Sequence, residues 1–367
     1  MSAPDLLYTE LEEDLRATVR RLLRERCDWT AVLARCESEE PYDLDLWRTL
    51  AGELGLAALL VPEDLGGAGA SARELAVVAE EVGRAVAPVP FLGNVLVTAA
   101  LVACAEREVL PQLADGSRIG TLAVGLTTAP HAAFPRSVKA DGTSLTGTVS
   151  AVVDLEVADH VVVPAVDGDG AALYLVDTAA SGVTRTPTTP LDLTRRFGTL
   201  ELAGAVGKRL ASGADAERAL RRALLTAAGL LASEQVGLAQ HCLDSTVDYA
   251  KTRYQFGRQI GSFQAVKHRL ADLWVEVSTG RAVARNAADA LAQDTEVDLA
   301  VALAQAHCSD LVVLAAEEHL QLHGGIGMTW EHPAHLYLGR AKSSQLTFGI
   351  AETHRQRIGE LADLPTP

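Results

Sequence analysis

RYQFGRQIGSFQ, from Arg253 to Gln264, and QLHGGIG, from Gln321 to Gly327, are the two most informative stretches of this sequence. The first predicts the end of one helix and the beginning of the next, and the second predicts a helix that ends at closely spaced glycines. Apolar residues recur with helical spacing around both motifs, from about residue 209 to the C-terminus. The pattern predicts a bundle of long helices, and bundles build their sites between facing helices.

The rest of the chain divides into two further zones. Helical spacing predicts helices over Leu44–Leu56, over Ala72–Val86 and from Leu92 onward. Between about residues 118 and 205, short runs of Val, Leu and Thr are separated by the turns Asp141-Gly142 and Asp167–Gly170, which predict hairpins. The sequence therefore predicts an α+β, mostly α fold with three domains: N-terminal helices over residues 1–115, a small middle β domain over 116–206 and a C-terminal four-helix bundle over 207–367.

The composition is that of a folded, acidic protein. The chain has 367 residues, of which 48% are hydrophobic and 22% charged, and its formal net charge is −16. This charge argues against a nucleic-acid partner and against an anionic membrane. The longest apolar stretch, Phe91–Ala105, is shorter than the ~20 residues of a bilayer span. Scattered cysteines without a Cys-x-x-Cys pair fit a reducing compartment, and no secretory signal is visible, so we expect a cytoplasmic protein.

Together with VPEDLGG, from Val61 to Gly67, the two motifs resemble those of the acyl-CoA dehydrogenase family, and the likeness covers essentially the whole chain. The resemblance implies FAD bound between the middle and C-terminal domains and across a subunit interface. It also implies that the two C-terminal motifs hold the ADP half of a neighbouring subunit's FAD, because a guanidinium suits diphosphate oxygens and glycine lets backbone approach a ligand. The cofactor-binding residues implied here are Arg253, Gln255, Phe256, Gln264, Gln321, Gly324 and Gly325.

The family's reaction is the α,β-desaturation of an acyl-CoA thioester, which needs a carboxylate as general base. By the resemblance, the usual base position is Phe348 in this sequence, and the position used by a minority of the family is Ala227. Neither side chain accepts a proton. Glu234 follows Ala227 on the same apolar stripe of the first long C-terminal helix, roughly 10 Å along the axis. It is our catalytic candidate, and a structural ion pair is its other interpretation.

The segments that face the flavin ring in the family also differ here. The expected Thr-Glu-Pro-Gly loop is replaced by LTTAPHAA from Leu126 to Ala133, and the expected Trp-Ile-Thr-Asn strand by AVVD from Ala151 to Asp154. The chain thus resembles the base-lacking subunit of the heteromeric acyl-CoA dehydrogenases of sterol side-chain degradation. The resemblance implies an acyl-CoA substrate, a homologous partner subunit in a hetero-oligomer such as a heterotetramer, and an electron-transfer flavoprotein as acceptor, in fatty acid or steroid degradation.

Two alternatives stay open. One is a self-sufficient homo-oligomeric acyl-CoA dehydrogenase that uses Glu234 or another carboxylate, and the other is a non-enzymatic scaffold that has kept the fold. His319, His323, His332 and His335 are close in sequence, but their spacing matches no recognised ligand set, so the sequence predicts no metal site.

Overall fold

A computed structural model describes residues 6–364, in which the chain runs from helices to a sheet and back to helices. The N-terminal helices are α1 (Glu10–Arg26), α2 (Trp29–Cys36), α3 (Leu44–Arg48), α4 (Ala72–Arg84), α5 (Phe91–Ala103) and α6 (Leu110–Ala114). The C-terminal helices are α7 (Gly213–Thr252), α8 (Gln264–Gln293), α9 (Val297–His323), α10 (Ala334–Leu346) and α11 (Ala351–Leu361). This order confirms the α+β, mostly α fold class, while the domain limits at residues 115 and 206 stay predictions.

The middle part is one mixed sheet. Its strands are β1 (Gly120–Leu122), β2 (Val138–Asp141), β3 (Ser144–Val153), β4 (His160–Asp167), β5 (Gly170–Asp177), β6 (Val183–Thr188), β7 (Phe197–Val206) and β8 (Lys208–Ser212). They follow the order β6-β7-β3-β2-β4-β5-β8, with β1 parallel to β4 beside this path. Both predicted hairpins are confirmed, because Asp141-Gly142 joins β2 to β3 and Asp167–Gly170 joins β4 to β5.

Side-chain caps define the starts of two of the N-terminal helices. Thr9 with Glu12 and Ser71 with Glu74 form capping boxes at the starts of α1 and α4. The predicted helix Leu44–Leu56 is helical as far as Glu53, because α3 ends at Arg48 and continues directly as a π-helix over Thr49–Glu53. Gly55 then ends the segment in the left-handed conformation, with φ of 67°.

Helix α7 forms the centre of the molecule. The predicted stripe on it is buried throughout and comprises Leu220, Leu224, Ala227, Leu231, Glu234, Leu238 and Cys242. Helix α4 crosses α7 at two glycines: a Cβ on Gly83 would lie 2.1 Å from the Glu234 carbonyl oxygen, and one on Gly237 would lie 1.8 Å from that of Glu80. The two backbones therefore touch, and Glu234 lies at the crossing.

One stretch is long and apolar enough to cross a bilayer by length and composition, namely Val297–Met328, which comprises α9 and the turn after it. Of its most apolar window, 72% is buried inside the molecule. Helices α7, α8, α10 and α11 all pack against α9. We interpret it as the core helix of the bundle, and the cytoplasmic location stays a prediction.

Candidate functional site

The motif from Arg253 to Gln264 forms an exposed corner between α7 and α8. The Arg253 N–H donates to Tyr249 O and ends α7, and Tyr254–Gln255 then pairs with Arg258–Gln259 as a two-stranded hairpin. Phe256 and Gly257 form its turn with φ of 52° and 76°. The Phe256 side chain is 91% exposed, and Arg253, Gln255 and Gln264 are exposed as well.

The motif from Gln321 to Gly327 ends α9 with open backbone. Gly324 has φ of 62° and ψ of −140°, a conformation that requires glycine. A Cβ built on Gly324 or on Gly325 would meet no described atom within 4 Å. Gln321 is exposed one turn earlier. The backbone at this helix end therefore faces open space.

The two motifs lie at the same end of the bundle. The Tyr249 ring stacks on His323 with 4.4 Å between centroids, and its hydroxyl lies 3.4 Å from His323 O. The Arg253 side chain makes no hydrogen bond or ion pair with any residue that the structure describes, so its donors are free for a ligand. A free guanidinium, an exposed aromatic ring and accessible glycine backbone fit the diphosphate and adenosine half of a dinucleotide.

Both expected base positions carry inert, buried side chains. Phe348 is 2% exposed and Ala227 0%. The Phe348 N–H donates to Leu126 O at 2.8 Å, and Phe348 O lies 3.0 Å from His354 Nε2. Phe348 has φ of 61°, so the chain turns sharply here and seats the ring in the core. The position that would present a carboxylate to a substrate is therefore a packing position in this chain.

The residues at the end of β3, which would flank a flavin ring, form hydrogen bonds within the chain. Asp154 is 2% exposed and accepts from Tyr42 Oη at 3.2 Å and from the Gly93 N–H at 2.8 Å. Burial raises the pKa of Asp154 to about 6. The Leu126 N–H donates to Ala151 O, so the loop after β1 is tied to the same strand.

Glu234 belongs to a buried cluster of four charges. Arg195 Nη2 lies 2.5 and 2.6 Å from its two carboxylate oxygens, and Arg340 Nη1 lies 3.0 Å from Oε1. Asp192 pairs with Arg340 Nε at 3.1 Å, and none of the four side chains is more than 4% exposed. Burial alone would raise the pKa of Glu234, but the two guanidinium groups hold it below its usual range. These contacts favour the structural interpretation over the role of a base.

An open cleft of about 450 Å³ lies between the loop after β1 and the start of α7. Thr128, Pro130 and Phe134 line one wall, and Leu220 and Leu224 line the other. Leu224 is about one helical turn before Ala227, so the cleft leads toward this base position. Charged residues at the start of α7 line the cleft as well, so its walls are partly apolar and partly charged.

Glu217 is the carboxylate that lines this cleft among the residues described. It is exposed and lies ten residues before Ala227, or about 15 Å along the helix axis. A carboxylate at that distance is too far away to replace a base at Ala227. The alternative of a self-sufficient enzyme thus has no carboxylate placed for it in this cleft.

His354 provides a pH-dependent test of the packing behind Phe348. Burial, with His131 nearby, lowers the pKa of His354 from 6.5 to about 4. The unfolded chain therefore binds this proton at a higher pH than the folded chain does. We expect this group to remove up to about 3 kcal/mol of the free energy of unfolding as pH falls from 6.5 to 4.

The variant His354→Gln keeps a donor for Phe348 O and should show a shallower loss of stability over this window, measured by urea unfolding at several pH values. His268→Gln, at an exposed position, should keep the wild-type slope. Parallel slopes for His354→Gln and the wild type would contradict the assignment.

The structure also brings together three of the four histidines for which the sequence predicted no metal site. His319 and His323 lie one turn apart on α9, and the chain after Gly325 returns His332 to them. One ring nitrogen from each lies within 4.8 Å of the others. The four-residue spacing of the first two could have been noticed, since such residues share a helix face. The return of His332 depends on the turn and could not.

The chain matches two family models, the N-terminal domain of acyl-CoA dehydrogenases over residues 9–117 and the C-terminal domain over residues 210–362. It is 39% identical to acyl-CoA dehydrogenase IpdE2 of Mycobacterium tuberculosis over 97% of this chain and 99% of the relative.

Solved structures are similar over the whole chain as well. The ChsE4-ChsE5 complex from Mycobacterium tuberculosis contains a chain with a TM-score of 0.87 and 32% identity, covering 99% of this chain and 100% of that one. A variant of the Tcur3481-Tcur3483 steroid acyl-CoA dehydrogenase matches with a TM-score of 0.85 and 32% identity, covering 96% and 98%. The two domain models and the full-length relatives agree with the motifs. The chain therefore belongs to the acyl-CoA dehydrogenase family, whose members are FAD-dependent oxidoreductases.

Proposed function

We propose that this chain is the non-catalytic subunit of a heteromeric acyl-CoA dehydrogenase. In this role it completes the FAD site of a homologous partner subunit and helps to enclose the acyl group, while the partner supplies the base. The reaction of the complex is the α,β-desaturation of an acyl-CoA thioester, with an electron-transfer flavoprotein as the acceptor.

One contrast supports this proposal above all. The expected base positions hold Phe348 and Ala227, which are buried and inert, whereas the surface proposed for the ADP half of FAD is exposed and has free donors. A self-sufficient enzyme would need a carboxylate at the reacting carbon. A pure scaffold would have no need for an unpaired guanidinium and open glycine backbone at the same end of the bundle.

The residues of this chain have binding and enclosing roles in the proposed complex. FAD, when bound, would supply the acceptor for the hydride that leaves the β-carbon of the acyl group. The Arg253 guanidinium donates charge-assisted hydrogen bonds to the diphosphate, and Gly324 and Gly325 let the ligand approach the backbone. Gln255, Gln264 and Gln321 offer further polar groups at the same end of the bundle, and Phe256 offers an exposed ring.

We further propose a bulky, steroid-derived acyl group as substrate. A similar protein at 32% identity is described as a steroid acyl-CoA dehydrogenase. In this chain Leu220, Leu224, Pro130 and Phe134 form the apolar part of the cleft beside α7, and charged residues at the start of α7 line the rest. Apolar residues occupy both base positions. The apolar part of the cleft suits a large hydrophobic acyl group.

The proposal is tested by purifying the chain alone and together with the acyl-CoA dehydrogenase encoded beside it. We expect the chain alone to lack stoichiometric FAD and to form no enoyl-CoA, and the co-purified complex to carry FAD and desaturate the substrate. Absorption spectra, native mass and turnover with a dye acceptor measure the three properties. A lone chain with stoichiometric FAD and turnover would contradict the proposal, and a complex without flavin would favour the scaffold.

A further inference from the structure

Three imidazole rings converge at the end of α9, beside the glycine turn. The ring centroids of His319 and His323 are 4.4 Å apart, those of His323 and His332 are 4.4 Å apart, and those of His319 and His332 are 5.3 Å apart. His319 is 0% exposed and His323 4%, whereas His332 is half-buried. One ligand nitrogen from each of the three rings lies within 4.8 Å of the others.

The hydrogen bonds of His319 fix which of its nitrogens is free. The Thr246 hydroxyl donates to Cys242 O at 2.6 Å, so its oxygen is the acceptor for His319 Nδ1 at 3.0 Å. The proton of the neutral ring is thus on Nδ1, and Nε2 carries a lone pair. This Nε2 is buried and has no hydrogen-bond partner within the part of the chain that the structure covers. A buried ring nitrogen without a partner in the protein has its lone pair available for a ligand.

His323 is oriented in the same way. Its Nδ1 lies 2.7 Å from His319 O, a backbone acceptor, so the lone pair of this ring is also on Nε2. A ring nitrogen bonded to a carbonyl or hydroxyl, with the other nitrogen free, is the usual arrangement of metal-binding histidines. His332 differs, because its Nδ1 accepts from the Ala334 N–H at 3.3 Å, so binding a metal ion through Nε2 requires this ring to give up that contact and move its proton to Nδ1.

We propose that His319, His323 and His332 bind one divalent transition-metal ion, with Zn²⁺ as the best match. An all-imidazole set favours Zn²⁺, Cu²⁺ or Ni²⁺ over Mg²⁺ and Ca²⁺. Three protein ligands leave a fourth position for water or another ligand, on the half-buried side of His332.

The ligand nitrogens must approach one another by up to about 1.4 Å to reach metal-binding distances. With Zn–N bonds of ~2.1 Å, tetrahedral ligands lie about 3.4 Å apart, compared with at most 4.8 Å here. His332 lies in the irregular segment between the glycine turn and α10, so it can move without unwinding a helix. The proposed ion lies next to Gly324, where it would hold the turn that presents the glycine backbone.

The test uses tag-free, full-length protein, first stripped of metal and then titrated with ZnCl₂. We expect one Zn²⁺ per chain by calorimetry and by elemental analysis after gel filtration, together with a rise in melting temperature. His332→Gln should weaken Zn²⁺ binding by more than about 100-fold, beyond the effect of losing an outer hydrogen-bond partner. His268→Gln, with an exposed ring elsewhere, is the matched control and should bind like the wild type.

A second measurement does not depend on any variant. CoCl₂ added to the wild-type protein should give the visible absorption bands of a four-coordinate site, and Zn²⁺ should remove them. The proposal is overturned if the wild-type protein binds no Zn²⁺, if His332→Gln binds it with unchanged affinity, or if Co²⁺ gives only the spectrum of the hydrated ion.

Discussion

Replacing Glu234 by glutamine should lower the free energy of unfolding by about 3–5 kcal/mol. The change leaves Arg195 and Arg340 buried at 4% and 2% exposure, with Asp192 as the remaining carboxylate of the cluster. An uncompensated buried guanidinium is costly because it has lost its water and one of its partners. Urea unfolding of the purified chain measures the change directly.

The matched control is Glu352→Gln. The Glu352 side chain is 71% exposed and pairs with Arg355 one turn along α11, so its removal should change the free energy of unfolding by less than about 0.5 kcal/mol. If Glu234 were instead a catalytic base, Glu234→Gln would keep the stability of the wild type and abolish turnover in the complex. That result would contradict the structural role and support the self-sufficient enzyme.

The burial of Glu234 could be predicted from the sequence, but its partners could not. The three-four spacing of the stripe on α7 places this carboxylate on an apolar face, which is a local property of one helix. Arg195 precedes β7 and Arg340 lies on α10, so they reach Glu234 only through the packing of the sheet and of a second helix. Contacts between residues so distant in the chain leave no periodic pattern in the sequence.

For the fold as well, elements set by local signals were predicted, and features set by contacts between distant residues were not. The two hairpins were predicted because Asp-Gly pairs are local turn signals. The change from α-helix to π-helix after Arg48 was not predicted, since the apolar spacing continues past it. A Cβ on Gly52 would lie 2.8 Å from Asp115 O, so this segment packs closely against the residue after α6. Periodicity along the chain does not reveal such a contact.

The cofactor motifs were predicted from resemblance, and their assignment to FAD stays a proposal. The structure adds that both motifs lie at one end of the bundle and that Arg253 is unpaired among the residues described. The histidine cluster beside them was missed, because it needs the turn at Gly324 to bring His332 back to α9. Residue spacing therefore reveals a site whose residues share one helix, but it does not reveal a site that needs a turn to bring a residue back to that helix.

Replacing Gly325 by leucine should weaken FAD binding in the heteromeric complex by about 100-fold, which corresponds to about 2.7 kcal/mol. Gly325 is a sharper target than Gly324, whose φ of 62° would strain any other residue whatever the ligand. A Cβ on Gly325 meets nothing within 4 Å among the residues described, so the chain itself tolerates the side chain. A ligand that approaches this backbone would collide with the side chain.

Two comparisons separate an effect on the ligand from an effect on the fold. Gly359→Leu, on α11, places the same side chain at a glycine whose Cβ also meets nothing within 4 Å, and it should keep wild-type flavin content. Melting temperatures of the two variant chains, measured without partner or flavin, should match that of the wild type. If only the Gly325→Leu complex then loses the 450 nm flavin absorbance, the cause is the leucine side chain that blocks access to the backbone. Wild-type flavin affinity in that complex would mean that the cofactor does not approach α9 here, and the ADP site would have to be assigned to other residues.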